Sequence, residues 1–371
     1  MLEFRLPVVA YLSTFLVVGF SLSILGPALT ELRARTGSDI ADIGILFVGQ
    51  SFGYIAGSLF GGRLYDRFDG HRVAGGSLVV MAIGLAVLPQ FDQRIGLFVA
   101  VAVLGTGAAT LDIGVNTLLL WRLESASGRA MNMLHLCFGI GALSAPLLVH
   151  ASLDLSVQGA AALCVALAVW LAAVPAPSAP PARGEQVVHS RPMLAVLSMF
   201  FLLYVGLEVG FAGWVQTYGE EIRFSELAAT WLTTTFWIGF TVGRLLASAL
   251  GHRVRPKVLL IASCSLTIVA ALVLIAGDGR SAPVWAGAAL MGLATAPQFP
   301  VMLTYLERRI RVTGTATAWF VGGAGVGGLI FPWLIGRWFD AHGATTLPWA
   351  MLVLGLLTFA SFGVSNRRLG G

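Results

Sequence analysis

Twelve apolar runs, each close to twenty residues long, follow one another along the chain with short polar breaks between them. They fall at 8–29, 41–62, 72–89, 95–121, 130–150, 157–174, 193–217, 226–250, 256–276, 283–306, 313–336 and 346–364. A helix needs about 20 such residues to cross roughly 30 Å of hydrocarbon. The runs are continuous, whereas membrane barrel strands show segments of about ten residues with alternating polarity. The pattern therefore predicts an all-α integral membrane protein with twelve transmembrane helices. The first run lacks the small-residue cleavage site of a signal peptide and is expected to be a retained helix.

Composition removes other classes. Only 11% of the 371 residues are charged and 57% are hydrophobic, where soluble chains average roughly 25% charged. Such a chain cannot coat a water-exposed surface, which excludes a soluble enzyme, a disordered chain and a nucleic-acid partner despite the net charge of +5. The 45 glycines exceed the average share and allow helix backbones to approach closely in lipid. Cys137, Cys164 and Cys264 all lie inside apolar runs, where core packing is expected rather than a disulfide or a metal site. No Walker loop, intact zinc motif or nucleophile elbow is present, so neither enzyme chemistry nor a bound cofactor is expected.

Charge position then sets orientation. Sixteen of the 23 Lys and Arg fall at the two termini and in the loops after runs 2, 4, 6, 8 and 10. Six fall in the opposite loops, and Arg244 lies within a run. The positive-inside rule places both termini in the cytoplasm, here of a bacterial-type inner membrane. The longest polar break, 175–192, contains Pro175, Pro177, Pro180 and Pro181, and it divides the chain into 1–174 and 193–371. These two parts are repeats. A shift of 186 residues lays Gly128, Gly139, Gly141 and Pro146 over Gly314, Gly325, Gly327 and Pro332. It also lays Gly53 and Gly57 over Gly239 and Gly243. Two parallel six-helix halves, pseudo-symmetric and able to rock about a central site, are the expected architecture.

The loop GGRLYDRFDGHRV (61–73) resembles the G-x-L-x-D-R-x-G-R-R loop of the major facilitator superfamily. Gly62, Leu64, Asp66, Arg67, Gly70 and Arg72 are in place, with one residue inserted around Asp69 and His71 in a basic position. The segments LDIGVNTLLLW (111–121), MNMLHLCFGIGALSAPLL (131–148), YVGLEVGFAGWVQTYGEE (204–221) and IGFTVGRLL (238–246) resemble the fucose–proton symporter family and its sodium-dependent glucose transporter branch. The resemblance implies the major facilitator fold and a sugar-type solute carried with a cation. It also implies an acid in the first helix, and Ser23 stands there instead.

Three formal charges lie inside the runs: Asp112, Glu208 and Arg244. Each costs about 2.5–3.5 kcal/mol at a helix centre on insertion scales, so each is expected to have a task. Asp112 and Glu208 are candidate cation-coupling residues, for H+ or Na+, or else structural hydrogen-bond partners between helices. Residue counting puts Glu208 and Arg244 roughly 13 Å apart in depth, too far to pair. Arg244 is expected to brace an inner helix end, as the loop of Gly62, Asp66, Arg67 and Arg72 does in the other half. His135 is a third candidate for coupling. Candidate solute contacts are Asn116 one turn from Asp112, Asn132, Ser23, Trp214, Trp319, and Gln298 in the proline-broken APQFP stretch.

These readings predict a monomeric carrier in the lipid bilayer. It would take a small hydrophilic, sugar-like solute between helices 1, 4, 5 and 7, 10, 11. A proton-coupled drug or metabolite exporter is the alternative. A non-transporting membrane sensor fits less well, because sensors usually carry an added soluble domain.

Overall fold

The computed structural model describes residues 2–123, 127–177, 191–251, 253–277, 280–310 and 314–370. Its helices are α1 (Leu2–Ser23), α2 (Leu25–Thr36), α3 (Ile40–Ile43), α4 (Ile45–Arg67) and α5 (Gly70–Val87). Then come α6 (Arg94–Leu123), α7 (Ser127–Ala151), α8 (Leu153–Ala172), α9 (Arg191–Glu221) and α10 (Glu226–Leu250). The last are α11 (Pro256–Gly277), α12 (Ser281–Thr295), α13 (Gln298–Glu307), α14 (Gly314–His342) and α15 (Thr346–Arg368). The described residues contain no strand.

Among the described residues, eleven helices are long and apolar enough to cross a membrane. The run at 226–250 is the exception: it forms α10 over those same bounds but falls outside that set. Thr230, Thr233, Thr234, Thr241 and Arg244 make it more polar than its neighbours. All four threonine hydroxyls donate to the carbonyl four residues back, at 2.9–3.2 Å, which removes their cost in an apolar setting.

Besides the run at 41–62, which parts at Gly44 between α3 and α4, two runs are broken. The first run parts at Ile24, between α1 and α2. Pro27 has no N–H and its ring crowds the carbonyl four residues back, that of Ser23. The chain then stays helical well past residue 29, until Gly37 closes α2 in the left-handed region (φ 61°) with its N–H on the Arg33 carbonyl. The second break, at Ala296–Pro297 between α12 and α13, follows from the APQFP prolines.

The chain forms two compact units, Met1–Ser38 with Ile45–Arg183, and Asp39–Gly44 with Gly184–Gly371. The short α3 thus groups with the later helices and packs on α14. In the first unit the main pairings are α4 with α6, α1 with α7, α5 with α6 and α5 with α8. In the second they are α9 with α14, α10 with α12, α11 with α12 and α9 with α15.

Glycine contacts recur at the same shift. A Cβ on Gly53 would run into the Ala102 carbonyl, and one on Gly239 into that of Ala289. Gly57 faces Thr106 and Ala109, while Gly243 faces Leu293 and Ala296. Gly141 lies against the Leu16 carbonyl, and Gly327 against that of Leu202. Backbone touches backbone at each place, so these helices pack by contact and dispersion where lipid offers little hydrophobic drive.

Polar staples close the first unit. The Arg35 guanidinium donates to Glu31 at 2.5 Å, to Asp154 at 2.6 Å and to the Pro89 carbonyl at 3.3 Å. Burial alone would lower its pKa, but the bonds to Asp154 and Glu31 outweigh that and raise it.

Candidate functional site

In the first unit the site is built on the α4–α6 contact. The glycines at 53, 57 and 105 bring the two backbones together. Tyr54 therefore reaches across and donates to Asp112 Oδ2 at 2.6 Å. From one turn along α6, Asn116 Nδ2 donates to the Asp112 carbonyl at 2.7 Å and to Oδ1 at 3.2 Å. Both neighbours offer donors to the carboxylate, and both retain an oxygen of their own, the Tyr54 hydroxyl and Asn116 Oδ1. A cation arriving at Asp112 would meet three oxygen-bearing side chains. Among the described residues no group of three His, Cys, Asp or Glu could hold a metal ion.

The second unit carries the other two charges of the apolar runs, both half-buried. Tyr204, fully buried and one turn before Glu208 on α9, donates its hydroxyl to Glu208 Oε2. Arg244 on α10 sits 4.9 Å above the Phe240 ring, and its buried Nε has no hydrogen-bond partner. Glu208 and Arg244 form no ion pair with each other among the described residues.

The remaining candidates scatter. Gln298 is enclosed, donating to Thr267 Oγ1 at 2.8 Å and to the Ala294 carbonyl at 3.2 Å, with Cys264 against its Oε1. These bonds tie α13 to α11 just past the proline break. Trp214 is fully buried, donates to the Pro332 carbonyl at 2.7 Å and stacks on Phe339. Trp319 is exposed, and so is Asn132. His135 meets the Phe15 ring edge-on at 5.8 Å. Ser23, at the α1–α2 break, keeps a buried hydroxyl without a partner.

In the loop after α4, Asp66, Arg67 and Arg72 are exposed, and Gly62 has open space where a Cβ would stand. Each departure from the motif has a local role. The inserted Asp69 caps α5 by accepting from the Arg72 N–H at 3.0 Å. His71 is buried, with Nε2 at 2.7 Å from the Tyr11 hydroxyl and Nδ1 at 2.7 Å from the Val174 carbonyl. The carbonyl can only accept, so Nδ1 carries a proton. This histidine joins α1, α5 and the segment following α8.

Sequence reasoning missed Tyr54, Tyr204 and the Tyr11–His71 pair. The first two left a trace: Tyr54 adjoins the glycine stripe, and Tyr204 stands four residues before Glu208.

Spanning-length helices with a few bonded charges inside them define a multi-span membrane protein. The chain belongs to the Major Facilitator Superfamily, whose family profile matches residues 11–225 and 196–367. Sodium-dependent glucose transporter 1 of Danio rerio is 30% identical over 375 residues, 88% of this chain and 63% of that one. The chain thus spans less than two thirds of that relative's length. The glucose/mannose transporter GlcP of Bacillus subtilis is 27% identical, covering 88% of this chain and 86% of that one. The solved xylose transporter XylE of E. coli shares the fold, with a TM-score of 0.79 at 13% identity over 97% of each chain.

Proposed function

We propose that this protein is a secondary transporter that carries a small hydrophilic, sugar-like solute across a bacterial-type inner membrane by alternating access, coupled to a proton or a sodium ion. In this reading α10 spans the membrane as well, giving twelve transmembrane helices. They form two six-helix halves, 1–174 and 193–371, joined by a cytoplasmic linker at 175–192, with both termini in the cytoplasm and a monomer as the working unit. The glycine contacts repeated at one shift support the two halves.

The observation that carries the coupling is Asp112 held by Tyr54 and Asn116 inside an apolar helix pair. A cation there offsets the cost of a carboxylate in the membrane, and Glu208 beside Tyr204 offers a second such place. A ligand shifts a two-state equilibrium only by its differential affinity for the states. Cation and solute bound together would favour the state in which the halves can rock. The relatives described as sodium-dependent glucose and glucose/mannose transporters support a hexose-like solute.

Thermal stability of the purified protein provides the test. A bound hexose at about 100 times its Kd should stabilise by roughly 2.7 kcal/mol, with a shift that depends on sodium or on pH. A shift that needs sodium and ignores pH identifies sodium as the coupling ion. If no sugar shifts the transition while apolar drugs do, the protein is an exporter of another class.

A further inference from the structure

We propose that one end of the second unit binds an anionic phospholipid. α11 begins at this end, while α13 and α15 finish there, since Leu259, Ile310 and Leu369 pack on one apolar cluster. Around it stand six cations: Arg255 and Lys257 at the start of α11, Arg308 and Arg309 after α13, and Arg367 and Arg368 closing α15. All are exposed except Lys257, which is half-buried. The described carboxylate within these short segments is Glu307, and none of the six cations enters an ion pair among the described residues.

The patch is also held in shape. Tyr305 donates to Asn366 Oδ1 at 2.7 Å and packs edge-on against Phe362, which ties the ends of α13 and α15 together. The Arg309 guanidinium lies 4.1 Å from the centre of the Tyr305 ring. By contrast, the matching end of the first unit intersperses acids: Asp66 and Asp69 stand among Arg63, Arg67 and Arg72.

Apolar side chains continue the cationic faces along the same helices. Ile261 is one turn from Lys257, Val258 lies beside it, and Val364 is one turn from Arg368; all three are exposed. A cationic rim with exposed apolar side chains behind it fits an amphiphile with a phosphate head and hydrocarbon tails. A free phosphate would use only the rim. Basic clusters on membrane-spanning helices draw anionic headgroups by the same electrostatics.

Native mass spectrometry of protein released from phosphatidylcholine–phosphatidylglycerol mixtures tests this. The wild type should retain phosphatidylglycerol several-fold over its share of the mixture. Each cation near such a surface contributes roughly fivefold, so the Arg308→Gln, Arg309→Gln, Arg367→Gln, Arg368→Gln variant should lose that enrichment and retain phosphatidylglycerol only at its share of the mixture. Arg367→Gln with Arg368→Gln alone, at the last residues of α15, should lose an intermediate part without loss of folding. Short-chain phosphatidylglycerol should compete, while millimolar inorganic phosphate should not. The proposal is overturned by equal retention of the two lipids in the wild type, by unchanged enrichment in a folded variant, or by equal competition from inorganic phosphate.

Discussion

Replacing Asp112 with asparagine abolishes uphill accumulation of solute and leaves counterflow exchange near the wild-type rate. Asparagine keeps the side-chain shape and an oxygen to accept from Tyr54, so the α4–α6 contact survives. It loses the charge that a cation must neutralise. Moving one elementary charge across 100 mV is worth about 2.3 kcal/mol, or roughly a 40- to 50-fold solute gradient. The variant should accumulate solute to a ratio of about 1. Exchange of labelled for unlabelled solute needs no net cation movement and should persist. The companion change Tyr54→Phe removes one donor to the carboxylate but leaves the charge. A hydrogen bond to a charged group contributes about 1.5–3 kcal/mol, so this change should move the half-saturating cation concentration by about tenfold or more while accumulation remains. Vesicles of Asp112→Asn that still concentrate solute normally would remove Asp112 from the coupling site.

Gly141→Val and Gly327→Val are each expected to prevent recovery of folded protein. A Cβ at Gly141 would occupy the place of the Leu16 carbonyl, and one at Gly327 that of the Leu202 carbonyl. The obstacle is backbone, which cannot swing aside as a side chain can. α1 must then move off α7, and α9 off α14. Overpacking that side chains can relieve costs about 1–3 kcal/mol, and this should exceed it. Gly76→Ala and Gly322→Ala are the controls, since nothing lies within 4 Å of a Cβ there. Both should be neutral or slightly stabilising, because alanine favours a helix over glycine by up to about 1 kcal/mol. Size-exclusion profiles and thermal transitions of the four variants decide the matter. A monodisperse Gly141→Val protein with an unchanged transition would mean that α1 and α7 are not in backbone contact.

The helices were legible because lipid demands long, continuous apolar runs, and α10 appears over its run residue for residue. The division at Ile24 was less legible, since Pro27 lies inside an unbroken apolar stretch. The charged part of the site was legible for the same reason as the helices: a charge in a run stands out. Tyrosine does not, so nothing in the runs marks Tyr54 and Tyr204 as the partners of Asp112 and Glu208. His71 looked like a lapse in a basic motif because its partners, Tyr11 and Val174, lie 60 and 103 residues away. Gln298 and Trp214 were noticed as polar and aromatic side chains deep in runs. The structure adds that their polar atoms bond within their own unit.

Gradient-driven uptake in sealed proteoliposomes tests cation-coupled transport most directly. Labelled glucose is placed outside at equal concentration under an inward sodium gradient, an inward proton gradient, or neither. At least one gradient should raise internal glucose several-fold above external. An ionophore for that cation should collapse the excess, and without a gradient uptake should stop at equality. Uptake that halts at equal concentrations under both gradients would contradict the account.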